Sequence, residues 1–140
     1  MRAFEIMSSP VLGLTPDAGI EEAAGLMLRH GFTSLPVVGA AGELAGVVTE
    51  ADVVRARLVP GPRGQSTPEG GVTVGDVART VRQVMRRPVP AVGPDAELTA
   101  VAELLLESRQ RWVPVLGSGK LVGVISWRDL LRALVFQARA

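Results

Sequence analysis

The segment Gly46-Val47-Val48-Thr49-Glu50-Ala51-Asp52 occurs a second time as Gly123-Val124-Ile125-Ser126-Trp127-Arg128-Asp129. The shared form is a glycine, two apolar residues, a hydroxyl residue, two variable positions and an aspartate. Read locally, it is a buried strand running into a helix. The hydroxyl residue is placed as an N-cap, and an acid three residues later completes a capping box. A carboxylate in the first turn also complements the helix dipole. Helices are therefore expected from about Glu50 and about Trp127. Its double occurrence has two readings: a cap that was duplicated, or a hydroxyl–carboxylate pair that meets a ligand twice.

The duplication continues outward from this motif. Residues 7–39 align with 85–117 at a constant offset, and residues 42–56 align with 119–133 one residue closer, Ala41 absorbing the difference. Met7/Met85, Pro10/Pro88, Pro16/Pro94, Asp17/Asp95, Pro36/Pro114, Gly46/Gly123 and Asp52/Asp129 are identical pairs. Val11–Leu14 and Val89–Val92 read as short strands, each followed by a Pro-Asp helix-start signal. Ile20, Ala23, Ala24, Met27 and Leu28 form an apolar stripe at helical spacing, and Leu98, Val101, Ala102, Leu105 and Leu106 repeat it. Gly31 is placed to end the first of these helices. Ser34–Val38 and Trp112–Leu116 are β-branched strands, each with a proline that removes a ladder donor and so marks an edge or bulge. Gly39–Gly42 and Gly117–Gly119 are tight turns into Leu44–Val48 and Leu121–Ile125, giving two hairpins.

The unit is thus β-α-β-β-α, an α/β unit present twice, as residues 7–59 and 80–138. Between the copies, residues 60–79 form a connecting segment whose Pro/Gly-rich part, 60–71, predicts an exposed loop. Each copy has roughly 50 residues, less than usually sustains an independent core. The two are expected to pack as one body with pseudo-twofold symmetry.

Composition narrows the function classes. The 140 residues are 47% hydrophobic and 21% charged, the balance of a globular protein with a core, and disorder over the whole length is excluded. No apolar run approaches the roughly 18 residues of a membrane-spanning helix. The first residues carry no apolar signal segment, so the expected compartment is cytoplasmic. Cysteine is absent and His30 is the single histidine, which excludes disulfides, thiolate sites and two-histidine zinc sites. Net charge is +1 and five residues are aromatic, so neither a global field nor a stacking platform for nucleic acid is present. Fourteen of the 15 basic residues are arginine, and any anion site would use guanidinium groups.

Taken together, the Met-x-x-Pro start of each copy, the Pro-Asp before an apolar helix, Leu35-Pro36-Val37-Val38, Val113-Pro114-Val115-Leu116 and the doubled Gly-x-x-[Ser/Thr]-x-x-Asp motif resemble a tandem pair of CBS domains, the Bateman module. The resemblance spans nearly everything except the termini and the linker. It implies a stand-alone regulatory module without catalytic activity or an obligatory cofactor. Its expected ligands are AMP, ADP, ATP or S-adenosylmethionine, held in clefts between the repeats, and it would signal to a protein partner in trans, as a homodimer. One implied cleft combines Ser126, Arg128 and Asp129 with Val11, Leu12 and Pro36. The other combines Thr49 and Asp52 with Val89, Pro90, Pro114 and Arg111. The chemistry suits the residues: a carboxylate can accept both hydroxyls of a ribose, and a hydroxyl at a helix N-terminus can address phosphate. Arg128 stands where the first copy has Ala51, and Glu50 where the second has Trp127, so the Asp129 cleft is expected to be the better phosphate site. The alternative is a protein-interaction module with vestigial clefts.

Other features carry less. Gly117-Ser118-Gly119-Lys120 lacks the upstream glycine and the following hydroxyl of a phosphate-binding loop, and reads as a hairpin turn. His30 reads as a cation at a helix end. Seven arginines between Arg55 and Arg87 read as a solvated linker and helix flank; the competing reading is a nucleic-acid patch. Trp112 and Trp127 fit either an interface or a cleft wall. No nucleophile–base pair or metal set stands out.

Overall fold

The computed structural model describes residues 1–58, 65–66, 72–73 and 79–139, with side chains for 1–58 and 79–136. The elements are α1 (Ala3–Ile6), α2 (Ile20–His30), β1 (Ser34–Val38), β2 (Leu44–Thr49), α3 (Glu50–Leu58), β3 (Gln65–Ser66), β4 (Val72–Thr73), α4 (Leu98–Ser108), β5 (Trp112–Gly117), β6 (Lys120–Ser126) and α5 (Trp127–Arg139). A 3-10 turn covers Val81–Gln83. The strands pair as β1–β2, β3–β4 and β5–β6. Both expected hairpins form, and α3 and α5 begin at Glu50 and Trp127.

The chain divides into two compact units: residues 13–39 with 45–87, and residues 1–12 with 40–44 and 88–140. Each unit therefore takes the segment that precedes one sequence repeat and packs it with the body of the other. In the first, Val81 is fully buried with Leu14, Ile20, Leu35, Val37 and Val48. In the second, Ala3 is fully buried with Val101, Leu105, Val113, Val115 and Ile125.

Backbone bonds hold these lead-in segments in the same way in both units. Val81 and Arg82 N–H donate to the Ala18 and Pro16 carbonyls, as Ala3 and Phe4 N–H donate to those of Ala96 and Pro94. Further along, Val47 bridges Arg86 and Val124 bridges Ser8, both antiparallel. The structural repeat thus starts near residues 2 and 80, earlier than the identities suggest. The side chains there differ, and the shared part is carried by the backbone.

Val11–Leu14 and Val89–Val92 do not form full strands. Each makes one parallel bridge, Leu14 to Val37 and Val92 to Val115. Leu14 N–H donates to the Pro36 carbonyl, and Val38 N–H to that of Leu14; Val92, Pro114 and Leu116 repeat the arrangement. The next donor in each ladder would be the nitrogen of Pro36 or Pro114, which carries no hydrogen. The prolines end the pairing.

The apolar stripes are buried only in part. Ile20, Ala23 and Met27 of α2 and Val101 and Leu105 of α4 face the cores, whereas Leu28 is 85% and Leu106 69% exposed. Gly31 ends α2 in the left-handed region, as expected, and Arg109 does the same for α4. Within the expected loop 60–71, Gln65–Ser66 pairs antiparallel with Val72–Thr73, so a short ladder replaces part of it. Residues 60–64 and 67–71 of that loop, with 59 of the first copy and 74–78 of the connecting segment, lie outside the described residues.

Candidate functional site

The geometry of the doubled motif follows from the cap. Thr49 precedes α3, and Asp52 turns back toward it. The Thr49 N–H and hydroxyl each donate to Asp52 Oδ2 at 2.9 Å, and Asp52 N–H donates to Thr49 Oγ1 at 3.2 Å. In the other unit, Ser126 N–H and hydroxyl donate to Asp129 Oδ2 at 2.9 and 3.1 Å, and Asp129 N–H donates to Ser126 Oγ at 3.3 Å. Both capping boxes therefore form. Burying a carboxylate is costly unless its lone pairs are satisfied. Asp52 is 4% and Asp129 8% exposed, and these bonds hold each in place.

The cap uses Oδ2 and leaves Oδ1 for other partners. Here the units differ. Asp52 Oδ1 accepts from Arg86 Nε at 3.0 Å, with Arg55 Nη1 at 3.6 Å. Asp129 instead receives the Ser8 hydroxyl, at 3.3 Å from Oδ1 and 3.5 Å from Oδ2, and Arg132 Nη1 stays 3.9 Å away. Ser8 and Arg86 are equivalent in the repeat, as are Arg55 and Arg132. Ala51 and Glu50 put no cation next to Asp52 in sequence, yet its nearest charged neighbours are two guanidinium groups, which corrects the contrast with Asp129 drawn from Arg128. Beside Asp129 the guanidinium within ion-pair reach belongs to Arg132; Arg128 is exposed. Sequence reasoning missed Ser8, Arg86, Arg55 and Arg132. Ser8 and Arg86 already stand opposite each other in the aligned repeat, beside Met7 and Met85, but the alignment carries no sign of their contact with the aspartates.

The motif glycines have a steric reason. A Cβ on Gly46 would stand 2.9 Å from both the Arg86 carbonyl oxygen and Met85 Sδ, and one on Gly123 2.5 Å from Met7 Sδ. The methionine of each lead-in segment thus crosses the glycine of the strand that leads to the aspartate.

The remaining candidates fall as follows. Pro36 is buried in β1 and Pro114 in β5, and their carbonyls accept the Leu14 and Val92 bonds. Val11 and Val89 are half-buried, and Leu12, Pro90 and Arg111 are exposed. Of the expected cleft residues, Pro36, Thr49 and Asp52 belong to one unit and the others to the second. The bonds described join Thr49 to Asp52 and Ser126 to Asp129. His30 stacks on Phe32 with ring centroids 5.5 Å apart. In the arginine-rich region, Arg57 pairs with Glu21, Arg82 with Asp17, and Arg55 and Arg86 with Asp52, so these cations are engaged within their unit. No group of three or more potential metal-ligating side chains occurs among the described residues, and no helix there is long and apolar enough to cross a membrane.

The CBS domain family model matches residues 3–59 and 81–136, and the chain belongs to this family. The first match starts where the structural repeat does. The chain is 31% identical over 135 residues to an uncharacterized 17.7 kDa protein of Acidianus ambivalens from the bps2 3′ region, covering 96% of this chain and 73% of that one. Its fold is similar to the crystal structure of CBSX2 in complex with AMP, with a TM-score of 0.78, 23% identity, and 99% and 98% of the two chains covered. It is also similar to the CBS domain pair of MJ0100 in complex with 5′-methylthioadenosine and S-adenosyl-L-methionine, with a TM-score of 0.73, 22% identity and 98% of each chain covered.

Proposed function

We propose that this chain is a regulatory ligand-sensing module that takes an adenosine nucleotide or related adenosyl ligand at its Asp motifs and passes the signal to a protein partner. The observation that carries this reading is the pair of buried carboxylates, each fixed by its own helix cap with Oδ2 spoken for and Oδ1 turned to a lead-in segment. A pre-oriented carboxylate oxygen beside a helix N-terminus suits a ribose hydroxyl with a phosphate nearby. Two CBS pairs of similar fold hold AMP, or 5′-methylthioadenosine and S-adenosylmethionine, which supports the ligand class.

Ser126 and Asp129, with Arg128 and Arg132 as neighbouring cations, form the favoured site. Signalling requires the ligand to prefer one arrangement of the chain over another, since equal affinity for two states shifts nothing. The exposed leucines of α2 and α4 and the exposed Leu131, Leu134 and Val135 of α5 support a homodimer. A module that only binds proteins is the second reading, favoured by the caps, which account for both aspartates without a ligand.

Titration calorimetry with AMP, ADP, ATP and S-adenosylmethionine separates the two. The sensor binds at least one of them and loses that binding in Asp129→Ala. The interaction module binds none.

A further inference from the structure

We infer that Arg86 is an internal occupant of the Asp52 site, so that this chain loads a single adenosyl ligand, at Asp129, and that residues 8 and 86 decide which motif is open. The inference rests on the adenosine reading of the Asp motif and adds its asymmetry. In both copies the cap consumes Oδ2, and a ribose hydroxyl must be accepted by Oδ1.

On Asp52 that oxygen already receives a charge-assisted bond from Arg86 Nε at 3.0 Å, with Arg55 3.6 Å away. Arg86 and Asp52 form an ion pair in which both partners are charged, whereas a ribose hydroxyl brings an uncharged donor to the same carboxylate. A sugar would have to displace the stronger partner and leave a 4%-exposed carboxylate with fewer charges around it. On Asp129 the equivalent position is Ser8, a neutral hydroxyl at 3.3 Å that can accept from a sugar hydroxyl as well as donate. Arg132 lies at 3.9 Å, close enough to favour anionic ligands without filling the oxygen's bonding direction.

Arg86 is held where it can do this. Its backbone exchanges both hydrogen bonds with Val47, N–H to carbonyl at 2.8 Å and carbonyl to N–H at 3.0 Å. The side chain is 56% exposed, so its removal opens the carboxylate toward solvent and does not collapse a core. Serine at position 86 reproduces what the other copy already has at position 8.

The test is binding stoichiometry by titration calorimetry, with AMP and S-adenosylmethionine in turn, on the wild-type chain, Arg86→Ser, Arg86→Gln and Arg86→Ser/Asp52→Asn. Circular dichroism checks each fold. The expected result is one equivalent per chain for wild type, two for Arg86→Ser and Arg86→Gln, and one again for the double variant. Two equivalents in wild type overturn the inference, because Asp52 then binds despite Arg86. One equivalent in wild type and still one in both folded Arg86 variants also overturns it, and leaves the Asp129 reading standing. No binding to wild type with one equivalent in Arg86→Ser, lost in the double variant, overturns loading at Asp129 and leaves standing only that Arg86 closes Asp52. No binding to any of them overturns both.

Discussion

The backbone carbonyl of Arg86 lies 2.9 Å from where a Cβ on Gly46 would stand. Val47, the next residue, exchanges two hydrogen bonds with Arg86, so this carbonyl cannot retreat without breaking the bridge. Gly46→Ala should therefore destabilise the chain by about 1–3 kcal/mol, the usual cost of forcing volume into a packed site. The three atoms nearest a Cβ on Gly123 all belong to the Met7 side chain, and its Sδ and Cγ, at 2.5 and 2.8 Å, can move by rotation where a backbone carbonyl cannot. Urea unfolding should show the smaller loss for Gly123→Ala, and Met7→Ala should recover part of it. Equal losses at the two glycines would contradict the role of the Arg86 carbonyl.

The aspartates carry a structural load whatever they bind. Asp129→Ala removes the acceptor for the Ser126 N–H and should cost about 0.5–2 kcal/mol, as lost caps do. Arg86→Ala leaves Asp52 Oδ1 with Arg55, at 3.6 Å, as its remaining charged neighbour, and should cost more than Arg86→Ser, which restores a hydroxyl donor. Denaturant midpoints at equal m-value decide the order. A chain more stable with alanine than with serine at position 86 would count against the Oδ1 contact.

Arg109 ends α4 with φ of 57°, where the equivalent Gly31 ends α2 with φ of 69°. A side chain in the left-handed region costs roughly 1–2 kcal/mol that glycine does not pay. Arg109→Gly should therefore raise the melting temperature by a few degrees, and Gly31→Ala should lower it. Scanning calorimetry of both variants would show opposite shifts; shifts of the same sign would contradict the cap assignment.

The order of elements was legible in the sequence because two independent signals agreed. Apolar spacing gave α2 and α4, and the Gly-x-x-[Ser/Thr]-x-x-Asp pattern marked where strand gives way to α3 and α5. The strands at Val11–Leu14 and Val89–Val92 were over-read, because their apolar character is visible while the missing donors of Pro36 and Pro114 act on them from another strand. Leu28 and Leu106 fit the helical period, yet period alone does not say how wide a face the core covers. The aspartates and their caps were readable from local spacing. Arg86 and Ser8 were not, since they differ in type at equivalent positions and their contacts join residues 34 and 121 positions apart in sequence.

The exposed leucines bear on assembly. Leu131 and Leu134 of α5 are 62% and 61% exposed, one turn apart on the same side of the helix. Sedimentation velocity should find a dimer for the wild type and a monomer of unchanged circular dichroism for Leu131→Asp/Leu134→Asp. A wild-type monomer across the micromolar range would remove the homodimer.

The most direct test of the sensor is thermal unfolding with AMP, ADP, ATP and S-adenosylmethionine, for the wild type and Asp129→Ala. A ligand that binds only the folded chain adds about 2.7 kcal/mol at a hundredfold excess over its dissociation constant. In a chain of this size that raises the melting temperature by several degrees. The account predicts such a rise with at least one ligand in the wild type and none in Asp129→Ala. An unchanged wild-type melting temperature at millimolar concentrations of all four would contradict it.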